Sequence, residues 1–313
     1  MGISKNILRT ACVLAGALCL LAPGLQAAQI VVDVEEVTLP VSVLDRNGQP
    51  VHGLEPGHFR VFEDGVEQEI WSFRQEDVPI SVGLVIDSSG SMNNKREHVS
   101  SAALVFVRES NPDDETFIVT FNDEAFLEQN FTRSVGNLID ALENIYNRGE
   151  TAVNDAIYLG VEHVESEGGM DKKALLVVSD GEDNASVYRQ EDVIERLRES
   201  DVTVYAIGLL EQNDTSGGLF RRSRSSIARD ALEDIVEVTG GRAFFPKSLD
   251  EVEEICRQIA RDLRNQYTIT YRPSNSAFDG TYREIEVRVD PPRGFPRVEV
   301  RTKQGYTAPE ATQ

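Results

Sequence analysis

The sequence predicts an α/β fold: a doubly wound, mostly parallel sheet, flanked by N- and C-terminal β segments that form a small β-sandwich. Three observations carry this. Apolar runs such as Ile80–Ile86 and Ala174–Val178 are short, unbroken and bounded by polar residues, as strands buried on both faces are. Between such runs lie stripes of helical spacing, which implies βαβ units and a sheet covered on both sides. At the two ends of the chain the hydrophobic period falls to two, the mark of half-buried antiparallel strands.

In chain order, residues 1–28 read as an export signal. Lys5 and Arg9 precede an apolar stretch from Thr10 to Ala22, and Pro23, Gly24 and the small residues Ala27 and Ala28 follow, so cleavage is expected after Ala27 or Ala28. The apolar run is shorter than the roughly 18 to 20 residues of a spanning helix, so no integral membrane segment is expected after cleavage. The expected location is therefore outside the cytoplasm, periplasmic or extracellular. Of three cysteines, Cys12 and Cys19 leave with the signal, which excludes an intramolecular disulfide in the remainder. Cys256 falls on the apolar face of a helix with Val252, Ile255, Ile259 and Leu263, the place of a buried, inert thiol.

Residues 29–77 form the N-terminal β segment. Leu39, Val41 and Val43 alternate before Asn47-Gly48, and Phe59 and Val61 alternate into Asp64-Gly65, both of which are hairpin dipeptides. Glu76-Asp77-Val78-Pro79 is an acidic, extended connection. The α/β domain spans 78–264. Val99, Ala102, Ala103 and Phe106 mark its first helix, Thr116–Phe121 its second strand, and Val135, Leu138, Ile139 and Leu142 its second helix. Val153, Ala156, Ile157, Gly160, Val161 and Val164 mark the third helix, at the spacing of one buried face. Residues 211–229, rich in Gly, Ser and Arg, are expected as a loop hanging from the sheet edge that also carries Asp87. Residues 265–306 return to period two in Tyr267, Ile269 and Tyr271, and in Ile285, Val287 and Val289. This C-terminal β segment is expected to pair with 29–77, since neither has enough residues for a core of its own. Residues 307–313 are expected to be a disordered tail.

The chemistry concentrates at the ends of the apolar strands. Asp87, Ser89 and Ser91 alternate in the turn leaving the first buried strand, Asp180 ends a second one, and Thr151 opens the third helix. If those two strands are neighbours, all five meet at a switch point of the sheet. Each alone has an ordinary use, as a helix cap or turn residue. Together they are five hard oxygen donors, suited to Mg²⁺, Mn²⁺ or Ca²⁺ and poorly suited to Zn²⁺. Other chemistries lack their parts. Ser89-Gly90-Ser91 is not a nucleophile elbow, the four histidines show no pairing with it, and no phosphate-binding glycine loop follows a strand. A formal net charge of −22 sets nucleic acid aside as a partner. The acidic clusters Asp113-Asp114-Glu115 and Glu182-Asp183 read as solvated faces, with Asp183 close enough to Asp180 to support it.

These residues resemble the von Willebrand factor type A domain, whose metal-ion-dependent adhesion site has the pattern Asp-x-Ser-x-Ser with a Thr and an Asp on later loops. Asp87-Ser88-Ser89-Gly90-Ser91, Gly149-Glu150-Thr151 and Ser179-Asp180-Gly181 match in that order. Val61–Gln68, Thr239-Gly240-Gly241-Arg242 and Gln266-Tyr267 resemble an exported bacterial subfamily related to it. The resemblance implies a Rossmann-like fold and a divalent ion held by Ser89, Ser91 and Thr151, with Asp87 and Asp180 direct or through water. It further implies an open coordination position for an Asp or Glu of a protein ligand, and a binding module in place of an enzyme. A metal-assisted phosphatase or hydrolase using the same ion is the alternative, for which the sequence nominates no base or nucleophile.

Overall fold

Alternation in the first strand sets one sandwich core. The computed structural model of the chain describes residues 36–211 and 223–310. The export segment, most of the 211–229 loop and the last tail residues lie outside them. In β1 (Val37–Leu44), Val37, Leu39, Val41 and Val43 face a core shared with Phe59 and Val61 of β2 (Phe59–Glu63). β2 turns into β3 (Val66–Gln68) through Asp64 and Gly65, both at positive φ (48° and 76°), as a two-residue hairpin requires, and β4 (Ile70–Arg74) follows.

The central sheet then begins. Its strands are β5 (Ile80–Asp87), β6 (Glu115–Phe121), β7 (Ala125–Thr132), β8 (Lys172–Ser179), β9 (Val202–Gly208) and β10 (Ala243–Phe244), in the spatial order β10-β9-β8-β5-β6-β7. All pairs are parallel except β6 with β7. The helices are α1 (Arg96–Glu109), α2 (Val135–Glu143), α3 (Val153–Glu167), α4 (Gln190–Arg198), α5 (Arg224–Thr239) and α6 (Val252–Arg264). α1, α2 and α6 cover the face of Val82, Leu84 and Ile86, and α3, α4 and α5 cover the face of Val85 and Phe117. β5 is buried at all eight positions because it lies between β6 and β8 with helices on both faces. Gly83 leaves room for the neighbouring ring, since a Cβ there would lie 2.3 Å from Phe117 Cζ.

The chain ends return to the sandwich as β11 (Tyr267–Tyr271), β12 (Tyr282–Val289), β13 (Glu299–Arg301) and β14 (Gly305–Thr307). One antiparallel sheet runs β13-β1-β11-β4, the other β14-β12-β2-β3, so each joins strands from both termini of the described chain. Phe59, Phe73 and Tyr267 pack between them, with ring centroids 5.1–5.4 Å apart. Glu63 and Arg283 form an ion pair with each side chain 2% exposed, at 3.5 Å, beneath the hydroxyls of Tyr271 and Tyr306.

β7 is an antiparallel edge strand on the mostly parallel sheet. The structure corrects three expectations. Arg224 to Arg229 belong to α5 and not to a loop: Ser223 caps the helix, accepting from Ser226 N at 3.2 Å. The tail is ordered to residue 310, because Thr307 pairs with Tyr282, Ala308 is buried, and Glu310 bridges Asp279. Asp114 is no solvated residue, since it is 8% exposed and accepts from Ile80 N (2.8 Å) and Asn111 N (3.1 Å), holding the start of β5.

Burial pushes the Asp114 carboxyl from 3.8 up to about 6, against the pull of those two hydrogen bonds. A raised carboxyl contributes stability that is present below its unfolded pKa and lost as pH rises through the folded one. Between pH near 4 and about 6 the protein is expected to lose about 2–3 kcal/mol relative to Asp114→Asn, in urea melts with EDTA present. Parallel pH profiles of the two proteins would contradict the assignment.

Cys256 is 1% exposed and its thiol is pushed up to about 12 by burial, so it is the inert core residue expected. Among the described residues, no helix is long and apolar enough to cross a membrane.

Candidate metal centre

β5 ends on Asp87, 1% exposed, and the chain must turn there because the next residues cannot continue an apolar strand. The carboxylate organises that turn. Its Oδ1 accepts Ser89 N at 2.8 Å, and its Oδ2 accepts Ser179 Oγ at 2.8 Å and Asp180 N at 3.4 Å. The short carboxylate bond to the residue two positions on is an Asx-type turn. The Ser179 contact ties the ends of β5 and β8, which lie side by side in the sheet. Ser88 points the other way and donates to Phe121 O at the end of β6 (2.9 Å). Ser89, and Ser91 in the 3-10 turn Gly90–Asn94, lie on the side of β8. Their hydroxyls are 3.0 Å apart, and Ser91 Oγ donates to Asp180 Oδ1 at 2.8 Å.

Thr151 reaches the same edge from the loop between α2 and α3. Its placement is fixed by backbone bonds on three sides. Arg148 N donates to Ser88 O (2.8 Å), Gly90 N to Gly149 O (3.2 Å), and Thr151 N to Asn184 Oδ1 (2.8 Å). Gly149 sits at φ 77°, and a Cβ there would lie 2.4 Å from Asp123 Oδ2, so only glycine fits. Gly181 lies against Thr151, a Cβ on it falling 3.5 Å from Thr151 Oγ1. Thr151 is 5% exposed.

Of the five residues singled out in the sequence, Asp87, Ser89, Ser91 and Asp180 thus share one hydrogen-bonded chain, and Thr151 stands beside the end of β8. Asp183 does not enter the group: it accepts Asn154 N at 2.9 Å and so pins the first turn of α3, just beyond Thr151. The sequence reading missed three participants. Ser179 orients Asp87, Asn184 orients Thr151, and Lys95 donates from its ammonium to Asp180 Oδ2 and to Leu209 O (3.3 Å).

Electrostatically the centre is short of positive charge. Burial raises the Asp87 carboxyl, the neighbouring Asp180 charge adds to this, and hydrogen bonds from Ser89 and Ser179 oppose it. Two carboxylates and three hydroxyls at the switch point fit a hard divalent cation. The five side chains offer oxygen donors alone and no soft donor; among the described residues no cluster of three or more His, Cys, Asp or Glu suited to a metal occurs.

A family model for the von Willebrand factor type A domain matches residues 81–258. An uncharacterized protein of Synechocystis sp., sll0103, is 29% identical over 109 residues, covering 34% of this chain and 26% of that protein. The chain thus matches about a quarter of that relative's length. Among solved structures, the von Willebrand factor type A protein from Catenulispora acidiphila aligns with a TM-score of 0.48 at 11% identity, covering 87% of this chain and 74% of its own. Proximal thread matrix protein 1 of the mussel byssus, solved with a zinc-occupied MIDAS motif, gives 0.48 at 20% identity over 64% of this chain and 49% of its own. BatB from Bacteroides thetaiotaomicron gives 0.46 at 17% identity over 59% and 100%.

Proposed function

This chain belongs to the von Willebrand factor type A domain family, and from that premise we propose that it is a divalent-cation-dependent protein-binding module that captures a carboxylate of its ligand. The observation that carries the proposal is the hydrogen-bonded chain Ser89–Ser91–Asp180, 3.0 and 2.8 Å long, closed from behind by Asp87. Ser89, Ser91 and Thr151 would hold Mg²⁺ or Mn²⁺, or Ca²⁺, through their hydroxyls, with Asp87 and Asp180 direct or through water. A bound cation would supply a Lewis-acid position for an Asp or Glu oxygen. The protein's own part is orientation: Asp87 fixes the Ser89 backbone, Ser179 fixes Asp87, and Asn184 fixes Thr151, with Asn122 O holding the neighbouring Ala152 N. With a net charge of −22, the surface at large repels an acidic ligand, which leaves the ion as its main attraction.

No catalysis is assigned. We place the protein outside the cytoplasm, in the periplasm or beyond, on the export segment read in residues 1–28.

The test is capture of envelope and culture-medium proteins on the immobilised mature chain. Capture is expected in Mg²⁺, with release by EDTA and by an excess of a free glutamate-containing peptide. Capture that is unchanged in EDTA, or retained by Asp180→Ala, would refute a metal-mediated carboxylate contact.

A further inference from the structure

We propose that Lys95 is a resident counter-cation of this centre, competing with the divalent ion for Asp180, so that ion loading exchanges one ion pair for another. The inference rests on the metal-binding reading above and concerns what sets the affinity.

Lys95 is placed by its backbone. It closes the 3-10 turn Gly90–Asn94, donating from its N–H to Met92 O at 2.9 Å, and Met92, 1% exposed, anchors that turn in the core. The side chain then reaches across to the ends of β8 and β9, where its ammonium meets Asp180 Oδ2 and Leu209 O. Asp180 Oδ1 already accepts Ser91 Oγ, so both oxygens of this ligand are engaged from within the chain. The Asp180 side chain is 2% exposed and that of Lys95 22%, so the pair is not a solvated surface bridge of negligible strength.

Two consequences follow from this placement. In the ion-free protein the ammonium neutralises a carboxylate that stands next to the buried Asp87, and so stabilises the free form. A divalent ion at Asp180 would meet a like charge within hydrogen-bond reach, and the long, partly exposed lysine stem allows the ammonium to leave for solvent. Both effects lower the apparent affinity.

Titration calorimetry of the full mature chain with Mg²⁺, wild type against Lys95→Met, reads this directly. The apolar stem is retained and the charge lost. The dissociation constant is expected to fall roughly tenfold, a step typical of one ion pair between the exposed and buried limits. The melting temperature in EDTA is expected to fall, and the increment on adding Mg²⁺ to grow. An unchanged or weaker Mg²⁺ affinity in Lys95→Met, with heat present in wild type, overturns the role of Lys95 alone. Absence of Mg²⁺ heat in both proteins overturns it together with the metal reading.

If Lys95→Met does not fold, amine labelling of wild type decides. Modification of Lys95 by an N-hydroxysuccinimide ester is expected to rise severalfold on Mg²⁺ addition, and an unchanged rate refutes displacement.

Discussion

Glu63→Leu is expected to cost about 3–5 kcal/mol of folding stability, the largest loss from any single change considered, because it strands a buried cation. Glu63 accepts the hydroxyls of Tyr271 (2.7 Å) and Tyr306 (3.0 Å) and faces Arg283 at 3.5 Å. With Glu63 gone, Arg283 keeps the carbonyls of Asn275 and Ala277 and the half-exposed Asp279, 3.6 Å away, but no buried counter-charge. The buried Tyr271 hydroxyl loses its acceptor in the same stroke, at the cost of an unmade buried hydrogen bond. The double variant Glu63→Leu/Arg283→Met is expected to recover part of the loss, since an apolar pair of similar volume has no charge to desolvate. Urea unfolding of the three variants checks this. A Glu63→Leu loss below about 1 kcal/mol, the range of an exposed pair, would contradict it.

Asp87→Asn is expected to separate stability from ion binding. Asp87 is a carboxylate whose ionised form the fold disfavours, through burial first and the Asp180 charge second. A group with a raised folded pKa contributes stability below its unfolded pKa and loses it as pH rises, so at neutral pH the charged Asp87 weakens the ion-free fold. Asparagine removes that charge and keeps the shape, with its Oδ1 available to Ser89 N and its amide able to donate to Ser179 Oγ, at the cost of the long Asp180 N–H contact (3.4 Å). The melting temperature in EDTA is therefore expected at or above that of wild type. Ion affinity is expected to drop on the order of a hundredfold or more, since groups that merely orient a ligand already cost about 10–100-fold. A variant that melts far lower in EDTA would show that Asp87 serves the fold and not the ion.

Much of this arrangement is legible in the chain because its determinants are local. An unbroken apolar run that ends on Asp87, or on Ser179-Asp180, marks a buried parallel strand and its carboxyl end without knowledge of any contact. Period two in Val37–Val43 and Tyr267–Tyr271 likewise marks two half-sheets that need each other, and β1 and β11 do pair, from Val37↔Tyr271 to Val41↔Tyr267. What escaped the sequence reading depends on partners distant in the chain. β7 is an edge strand whose Ala125–Thr132 side chains are largely exposed, so no burial pattern marks it. Asp114 reads as a solvated charge, and nothing local to Glu63 or Arg283 marks them as interior; only the backbone amides or the opposite strand that reach them bury them. Lys95 resembles any cation at a helix start until β8 brings Asp180 to it.

The central claim is that Asp87, Ser89, Ser91, Thr151 and Asp180 hold one divalent ion, and Mg²⁺ titration calorimetry on the mature chain tests it most directly. One ion per chain is expected, with a melting temperature that rises with ion concentration, by about 2.7 kcal/mol of added stability at a hundred times the dissociation constant. The heat is expected to vanish in Asp87→Asn. No heat and no melting shift with Mg²⁺, Mn²⁺ or Ca²⁺, or binding that survives Asp87→Asn undiminished, would contradict the claim.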